Sequence, residues 1–234
     1  KQDVNKTCIV VGWQNVRSLG NKSHCIREAI DDRQLDVISI CESWHRSSDD
    51  ISLRKATPPG FACVNALRES DPLHGGLVVI YRNHYQCTRL SLPASTTFES
   101  LCIRLGAPGQ SMILLSIYRP GSKRVTSQFF DELATSLESL VVQSCPVVVG
   151  GDFNIHVDDP ADPAAIRLAD LLSSFDLIQH VDSPTHDRGH TLDLVITGTD
   201  TAVHSVDVGP SGPVSDHGLV TCHVPLRIRV QPRS

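Results

Sequence analysis

The residues in this sequence best suited to chemistry sit where apolar runs stop. Asn15 closes Trp13-Gln-Asn15, Glu42 follows Cys41, Tyr118-Arg119 ends a long apolar run, and Gly150-Gly-Asp152-Phe-Asn154 follows Val147-Val-Val149. Asp193 lies inside Thr191-Leu-Asp-Leu-Val195, and Ser215-Asp216-His217 precedes Gly218-Leu-Val220. Carboxylate and amide oxygens bind hard cations. A histidine titrates near neutrality and suits proton transfer, while amide and phenol donors stabilise charge that builds on an oxyanion. An acid inside an apolar strand is costly to bury alone, so Asp193 is expected to face a partner, for which a histidine is one natural choice. Taken singly, each residue has a plainer reading. Glu42 would serve as a solvated loop acid, Asp152-Phe-Asn154 behind two glycines as a turn, and Ser215-Asp-His217 as a loop with an Asx-turn. No His/Cys spacing typical of zinc competes with the oxygen-rich set.

These residues need a scaffold that brings distant positions together. Short β-rich runs recur over Thr7–Trp13, Asp36–Cys41, Gly60–Asn65, Gly75–Tyr81, Gln86–Ser91, Glu99–Leu105, Ser111–Tyr118, Pro146–Val149, Thr191–Thr197, Ala202–Val208 and Leu219–Val224. Helical spacing appears over Lys22–Arg33, Thr126–Val142 and Pro163–Ser174. Val37-Ile-Ser-Ile40 and Val147-Val-Val149 are apolar on both pleat faces, as central strands covered on both sides must be. Two packed sheets with helices outside, an α/β/β/α sandwich, is the natural architecture. The ends of its central strands converge on one rim, so residues far apart in sequence can share a site.

A chain of 234 residues suits a single domain with one large core. The reading is one domain over 1–234, with its core at about 7–225 and the Arg- and Pro-rich stretch 226–234 as a linker toward a following domain. No apolar stretch reaches the roughly 20 residues that span a bilayer, and Lys1–Lys6 lacks the succession of a signal peptide. The eight cysteines are scattered singly, with no C-x-x-C pair, and read as buried reduced thiols of an intracellular protein. A net charge of −5 argues against gripping nucleic acid by diffuse positive charge. Any such contact must be local, through loop residues such as Arg17, Lys22, Arg119, Lys123, Arg124 and Arg188.

Together and in this order, Asn15, Glu42, Tyr118, Gly151-Asp152-Phe-Asn154, Asp193 and Ser215-Asp216-His217 resemble the signature of the endonuclease/exonuclease/phosphatase superfamily, which includes deoxyribonuclease I and the AP endonucleases. The likeness runs from Trp13 to Val224. Cys41-Glu-Ser-Trp44, Ser116-Ile-Tyr-Arg-Pro120, Gly150–Ile155 and Ser183-Pro-Thr-His186 leading into Thr191–Ile196 are most similar to the apurinic-like endonuclease domains of non-LTR retrotransposons.

The resemblance implies a deoxyribonuclease I-like sandwich of two mixed sheets with outer helices. It also implies a monomeric, nuclear, Mg2+-dependent phosphodiesterase, with Mn2+ as a substitute, that nicks double-stranded DNA. The nick would expose a 3′-hydroxyl for target-primed reverse transcription by a reverse transcriptase domain of the same polyprotein; no membrane is involved. By the same resemblance Glu42, Asn15 and Asp216 hold the metal. His217, oriented by Asp193, or else Asp152, handles the proton of the attacking water. Asn154 and Tyr118 donate to phosphate oxygens, and Arg17, Arg119, Thr185, Arg188 and Ser215 contact DNA. The segment Thr185–His190 is expected as a brief loop beside the site, sensing groove shape through Arg188.

Rival members of the superfamily fit less well. Inositol-polyphosphate phosphatases would show a Trp-Cys-Asp-Arg type motif where this chain has Gly189-His-Thr-Leu-Asp-Leu194. The AP repair enzymes commonly have an aromatic-rich segment there, and aromatics are only 5% of this chain. A catalytically silent relative used as a binding module would usually have lost one of the metal or His/Asp positions, and all are present.

Overall fold

The computed structural model describes residues 8–68, 71, 74–107, 110–143, 145–201 and 203–225. The opening Lys1–Lys6 and the expected linker 226–234 lie outside the described residues. Along the chain the elements are β1 (Cys8–Asn15), α1 (Ser23–Asp32), β2 (Val37–Cys41), α2 (Ile51–Ala56), β3 (Phe61–Ala66), β4 (Leu77–Arg82), β5 (Gln86–Leu90), β6 (Glu99–Ala107), β7 (Gln110–Tyr118), α3 (Ser127–Val141), β8 (Val147–Asp152), α4 (Pro163–Ser174), β9 (Leu177–Gln179), β10 (Asp193–Gly198), β11 (Val206–Val208) and β12 (Val220–Pro225). They form two six-stranded sheets, ordered β11-β12-β1-β2-β4-β3 and β5-β6-β7-β8-β10-β9. In each sheet one central pair is parallel, β1 with β2 and β7 with β8.

Three apolar cores hold the layers together. Between the sheets, Ile9, Val11 and Trp13 meet Leu101, Ile103, Leu114, Tyr118 and Val195. Outside the first sheet, Ile26, Ile30 and Leu53 cover Val10, Ile38, Ile40 and Val78. Outside the second, Phe129, Leu133, Leu137, Leu168 and Leu172 cover Ile113, Leu115, Val149 and Leu194. This is the expected α/β/β/α sandwich. Ser39 on β2 donates its hydroxyl to Ser116 on β7 at 2.7 Å, a buried polar tie between the sheets.

Local chemistry explains the helices. Asp162 caps α4 by accepting the Ala164 N–H at 2.7 Å, and Pro163 fits the first turn because its missing donor is not needed there. Sequence reading missed α2, whose six residues are too few for periodicity; its one signal was the Asp50 cap on Ser52 N–H at 2.9 Å. It also missed the three-residue β9; of the expected strand over Ala202–Val208, residue 202 lies outside the described residues and, of 203–208, Val206–Val208 are strand. Among the described residues no helix is long and apolar enough to cross a membrane. All eight cysteines are free thiols, with Cys41, Cys102 and Cys222 buried and the other five partly so.

The register delivers the polar residues to one rim. Asn15 lies opposite Cys41, Tyr118 opposite Asp152, and Asp152 opposite Asp193. β12 pairs antiparallel with β1, which puts Ser215-Asp-His217, just ahead of Val220, beside the end of β1. The Gly150-Gly151 pair is not the turn its composition allows, because β8 runs through both glycines to Asp152. Gly150 is needed because the Trp13 indole of the facing sheet packs on it; an added Cβ would lie 2.4 Å from the ring. Gly151 has φ +132°, where a side chain is strained.

Candidate active site

The rim carries the chain's backbone strain. Of the non-glycine residues at positive φ among those described, Arg17, Ser18, Glu42, Trp44 and Asn154 all lie in the segments that leave β1, β2 and β8, and Arg17, Glu42 and Asn154 line the cleft; Gln34 and Asp176 are elsewhere. Such conformations cost free energy and persist where the surroundings enforce them. Here the loops after β1 and β2 enforce them together: Val16, Ser18 and Leu19 N–H groups donate to the carbonyls of Cys41, Glu42 and Ser43 at 3.1, 2.7 and 3.0 Å. That mutual lacing turns the Glu42 carboxylate into the cleft, where Arg17, Tyr118, Asp152, Asn154, His156, His186, Arg188, His190 and His217 also line the walls.

At the centre is a buried charge relay of fixed geometry. His217 Nδ1 is 2.7 Å from Asp193 Oδ2, and His217 Nε2 is 3.9 Å from Asp152 Oδ2. All three residues are buried. Burial alone would lower the His217 pKa, but the Asp193 carboxylate in contact with it, with Asp152 and Asp216 nearby, raises it to about 9. Asp152 is pushed up as well, first by burial and then by the like charge of Asp193, against the pull of His217 and two hydrogen bonds. Those bonds come from Asn15 Nδ2 at 2.9 Å and Asn154 N–H at 3.0 Å.

Asn15 bridges the two halves, donating from the same amide nitrogen to Glu42 Oε1 at 2.9 Å and to Asp152 Oδ2. Tyr118 donates its hydroxyl to Glu42 Oε1 at 2.9 Å. Burial, and then the Glu42 charge, hold the phenol proton far above its usual range, so Tyr118 stays a donor. Its proton therefore positions Glu42, where a direct bond to phosphate had been expected. One amide proton of Asn154 is likewise committed, to the Arg119 carbonyl at 2.8 Å.

Asp216 is held apart from this relay. Its Oδ2 pairs with Arg17 Nη1 at 2.8 Å and with His186 Nε2 at 3.2 Å, and its Oδ1 is buried without a hydrogen-bond partner. Arg17 also donates its N–H to Asn15 Oδ1 at 3.1 Å, so Glu42, Asn15, Arg17 and Asp216 form one continuous edge. The donor set fits a divalent cation: carboxylates, an amide oxygen and one orphaned buried oxygen are the hard ligands such an ion takes. Among the described residues two groups of His and Asp lie close enough for metal binding, His186/Asp216/His217 and Asp152/Asp193/His217, and Glu42 stands outside both.

Three expected DNA contacts turn out to be braces. Arg119 is 4% exposed, and its guanidinium donates to the carbonyls of Pro120, Lys123, Phe153 and Asn154, tying the β7 exit to the β8 exit. Thr185 is buried; its Oγ1 accepts the N–H groups of Leu192 and Asp193, both at 3.0 Å, and its carbonyl accepts the Gly218 N–H at 2.7 Å. Ser215 Oγ donates to the Asn15 carbonyl and accepts the His217 N–H at 3.1 Å. Lys22 Nζ is on the Val16 carbonyl at 2.6 Å. Arg17 and Arg188 remain at the cleft surface.

Sequence reading also passed over residues the site uses. Gln14 donates to the His217 carbonyl at 2.9 Å; a glutamine inside an apolar strand was its signal. His186 pairs with His217 as an isolated β-bridge and meets its ring edge-on at 4.8 Å. Only the Pro-Thr-His run hinted at it. Burial, then the neighbouring His217 charge, lower its pKa against the pull of Asp216 and Asp187.

The model of the Endonuclease/Exonuclease/phosphatase family matches residues 12–217. No curated protein sequence matches. Among solved structures, the endonuclease domain of TRAS1, a telomere-specific non-LTR retrotransposon, superposes with a TM-score of 0.74 at 13% identity, covering 94% of this chain and 99% of that one. An AP endonuclease from Leishmania major gives 0.74 at 14% identity over 96% of this chain and 91% of that one. The 3′-5′ exonuclease NExo from Neisseria meningitidis gives 0.70 at 17% identity, covering 93% and 100%. At these identities the superpositions establish a shared fold. With the family model spanning nearly the whole chain, and with the sandwich and its acidic rim in place, this chain belongs to the endonuclease/exonuclease/phosphatase family, a family of phosphodiesterases and nucleases that generally depend on divalent metals.

Proposed function

We propose that this chain is a Mg2+-dependent endonuclease domain that nicks double-stranded DNA, of the kind that serves non-LTR retrotransposons. The observation that carries the reading is the buried Asp193–His217 pair, 2.7 Å apart, opening with Asp152 and Glu42 into a cleft edged by Arg17 and Arg188. Such a cleft admits a phosphodiester backbone and places a proton donor and an acid at its floor. The first-named structural neighbour is a retrotransposon endonuclease domain, which favours that setting. A reverse transcriptase domain in the same polyprotein, monomeric action and a nuclear location complete the proposal.

In this reading Glu42, with Asp216 and the Asn15 amide oxygen, would hold the cation. When bound, that cation polarises the scissile phosphate and offsets charge on the departing 3′-oxygen. His217, kept protonated at neutral pH by Asp193, donates from Nε2 to a phosphate oxygen. Asp152, whose carboxyl is raised by burial, takes the proton of the attacking water. The new P–O bond forms to water, the P–O3′ bond breaks, the departing 3′-oxygen takes a proton from solvent, and the strand is left with a 3′-hydroxyl and a 5′-phosphate. Tyr118 keeps Glu42 aimed throughout.

Supercoiled plasmid incubated with the protein tests this. Nicked circles in Mg2+ or Mn2+, none in EDTA, and extension of the nick by a DNA polymerase without prior end repair are expected. Undiminished nicking in EDTA refutes the metal role, and ends that a polymerase cannot extend refute the priming role. Cleavage confined to abasic plasmid would move the chain to the repair side of the family.

A further inference from the structure

We propose that His186, Asp216 and His217 form a second cation site, selective for a single transition-metal ion such as Zn2+, which shares Asp216 with the oxygen-rich position at Glu42 but not Glu42 itself. The ligand atoms of the three lie within 4.8 Å of one another. At His186 the Asp187 Oδ1 stands 3.0 Å from an Nδ1 that accepts the Arg188 N–H, while the His217 imidazole is backed at Nδ1 by Asp193 Oδ2 at 2.7 Å. Metal-binding histidines are commonly held this way, with the far ring nitrogen on a carboxylate so that the near one faces the ion. Between them stands Asp216, whose Oδ1 is buried and unpartnered.

The backbone already assembles the trio. His186 and His217 face each other across an isolated β-bridge, and the Asp187 N–H donates to the Asp216 carbonyl at 2.9 Å. In the metal-free arrangement His186 Nε2 lies 3.2 Å from Asp216 Oδ2, while Nδ1 accepts the Arg188 N–H at 3.1 Å. An ion requires the other tautomer, and Asp187 is placed to receive the Nδ1 proton. His217 gives up its Nε2 proton to solvent as the ion binds, and the half-exposed Arg17 swings off Asp216. Two imidazoles and one carboxylate suit Zn2+, whereas Mg2+ prefers oxygen and water. The sequence showed no zinc spacing because His186 and the Asp216-His217 pair are separated by two strands and the loops around them. An ion here would take Asp216 and His217 away from the reaction. That inhibitory consequence rests on the proposed nuclease function; the binding itself does not.

The test is a titration of Zn2+ against a chromophoric chelator, without DNA or Mg2+. One tight ion per wild-type chain is expected, with affinity at least tenfold weaker in His186→Asn and unchanged in His190→Asn, a histidine of the same cleft outside the trio. X-ray absorption at the zinc edge of the wild-type protein should show two imidazoles and no sulfur, which decides the matter even if His186→Asn does not fold. Equal affinity in wild type and folded His186→Asn, or a spectrum with sulfur or fewer than two imidazoles, overturns the site. In a second arm, micromolar Zn2+ should suppress Mg2+-driven nicking in wild type and require at least tenfold more in His186→Asn. If nicking is absent altogether the nuclease reading fails, while the titration still decides the zinc site.

Discussion

Glu132 on α3 and Asp152 at the end of β8 are both hydrogen-bonded carboxylates, yet they are pulled in opposite directions. Glu132 accepts from the N–H groups and hydroxyls of Thr96 and Thr97, at 2.6 to 3.0 Å, and so fastens the segment before β6 to the helix. Partial burial would raise its pKa, but those four donors together lower it to about 2. Asp152 has two donors, no exposure, and the like charge of Asp193 across the strand pair, and its pKa is raised. The fold completes the shell of the first acid and leaves the second short of partners. Glu132 thus adds to stability, whereas the ionised Asp152 costs stability and is held where substrate would complete its shell.

The sharpest way to break this contrast is at the pair that orients the histidine. Asp193→Asn and His217→Ala should each lower turnover by orders of magnitude, on the scale of the roughly 10⁴ lost when a serine protease triad loses its Asp. The double variant should fall far less than the product of the two. Multiplicative losses in single-turnover nicking would show that the two act separately.

Next in size, Asp152→Asn should lose about 10²- to 10³-fold in nicking rate. Its unfolding free energy should stay within about 1 kcal/mol of wild type, because the charge removed was unfavourably buried. Glu132→Gln should show the reverse, with full activity and a loss of about 1 kcal/mol. Denaturant melts of both variants beside their rates decide it, and a large stability loss in Asp152→Asn would erase the distinction.

The two acids also differ in what pH does to them. The Glu132 pKa is depressed from an ordinary 4.5 to about 2 in the fold. Its contribution is therefore fully present above pH 4.5 and drains away as pH falls toward 2. After allowance for screening at a partly exposed site this amounts to about 1 kcal/mol. Melting temperatures between pH 5 and 2 should fall less steeply in Glu132→Gln than in wild type. Parallel curves would mean that the Thr96–Thr97 clamp does not favour the ionised acid.

The smallest effect is expected at the cleft edge. Arg188→Ala should flatten the salt dependence of DNA binding by about one unit of slope and blur the nick pattern on a long duplex. An unchanged slope would return the loop to a plain connector.

Much of this was legible in the sequence. Apolar runs ending in Asn15, Glu42, Tyr118 and Asp152 mark strands that finish at a common rim, and α4 carries its cap and its proline in plain view. What could not be read is which polar groups the fold consumes. Arg119 and Thr185 look like surface contacts in sequence, and only burial shows them bound to backbone. Gly150 looks like a turn residue until Trp13, from the other sheet, is found packed on it. His186 stayed hidden because its partner Asp216 is far along the chain, and no local spacing records a cross-loop bridge.

The account stands or falls on the rim being a metal-assisted site anchored by Glu42. The direct measurement is the Mg2+-dependent nicking rate of Glu42→Gln against wild type on supercoiled plasmid, with a melt of each protein alongside. A loss of at least about 10²-fold with melting temperature unchanged is expected, since the removed charge lies at a strand exit and outside the apolar core. Wild-type nicking by a normally folded Glu42→Gln would contradict it.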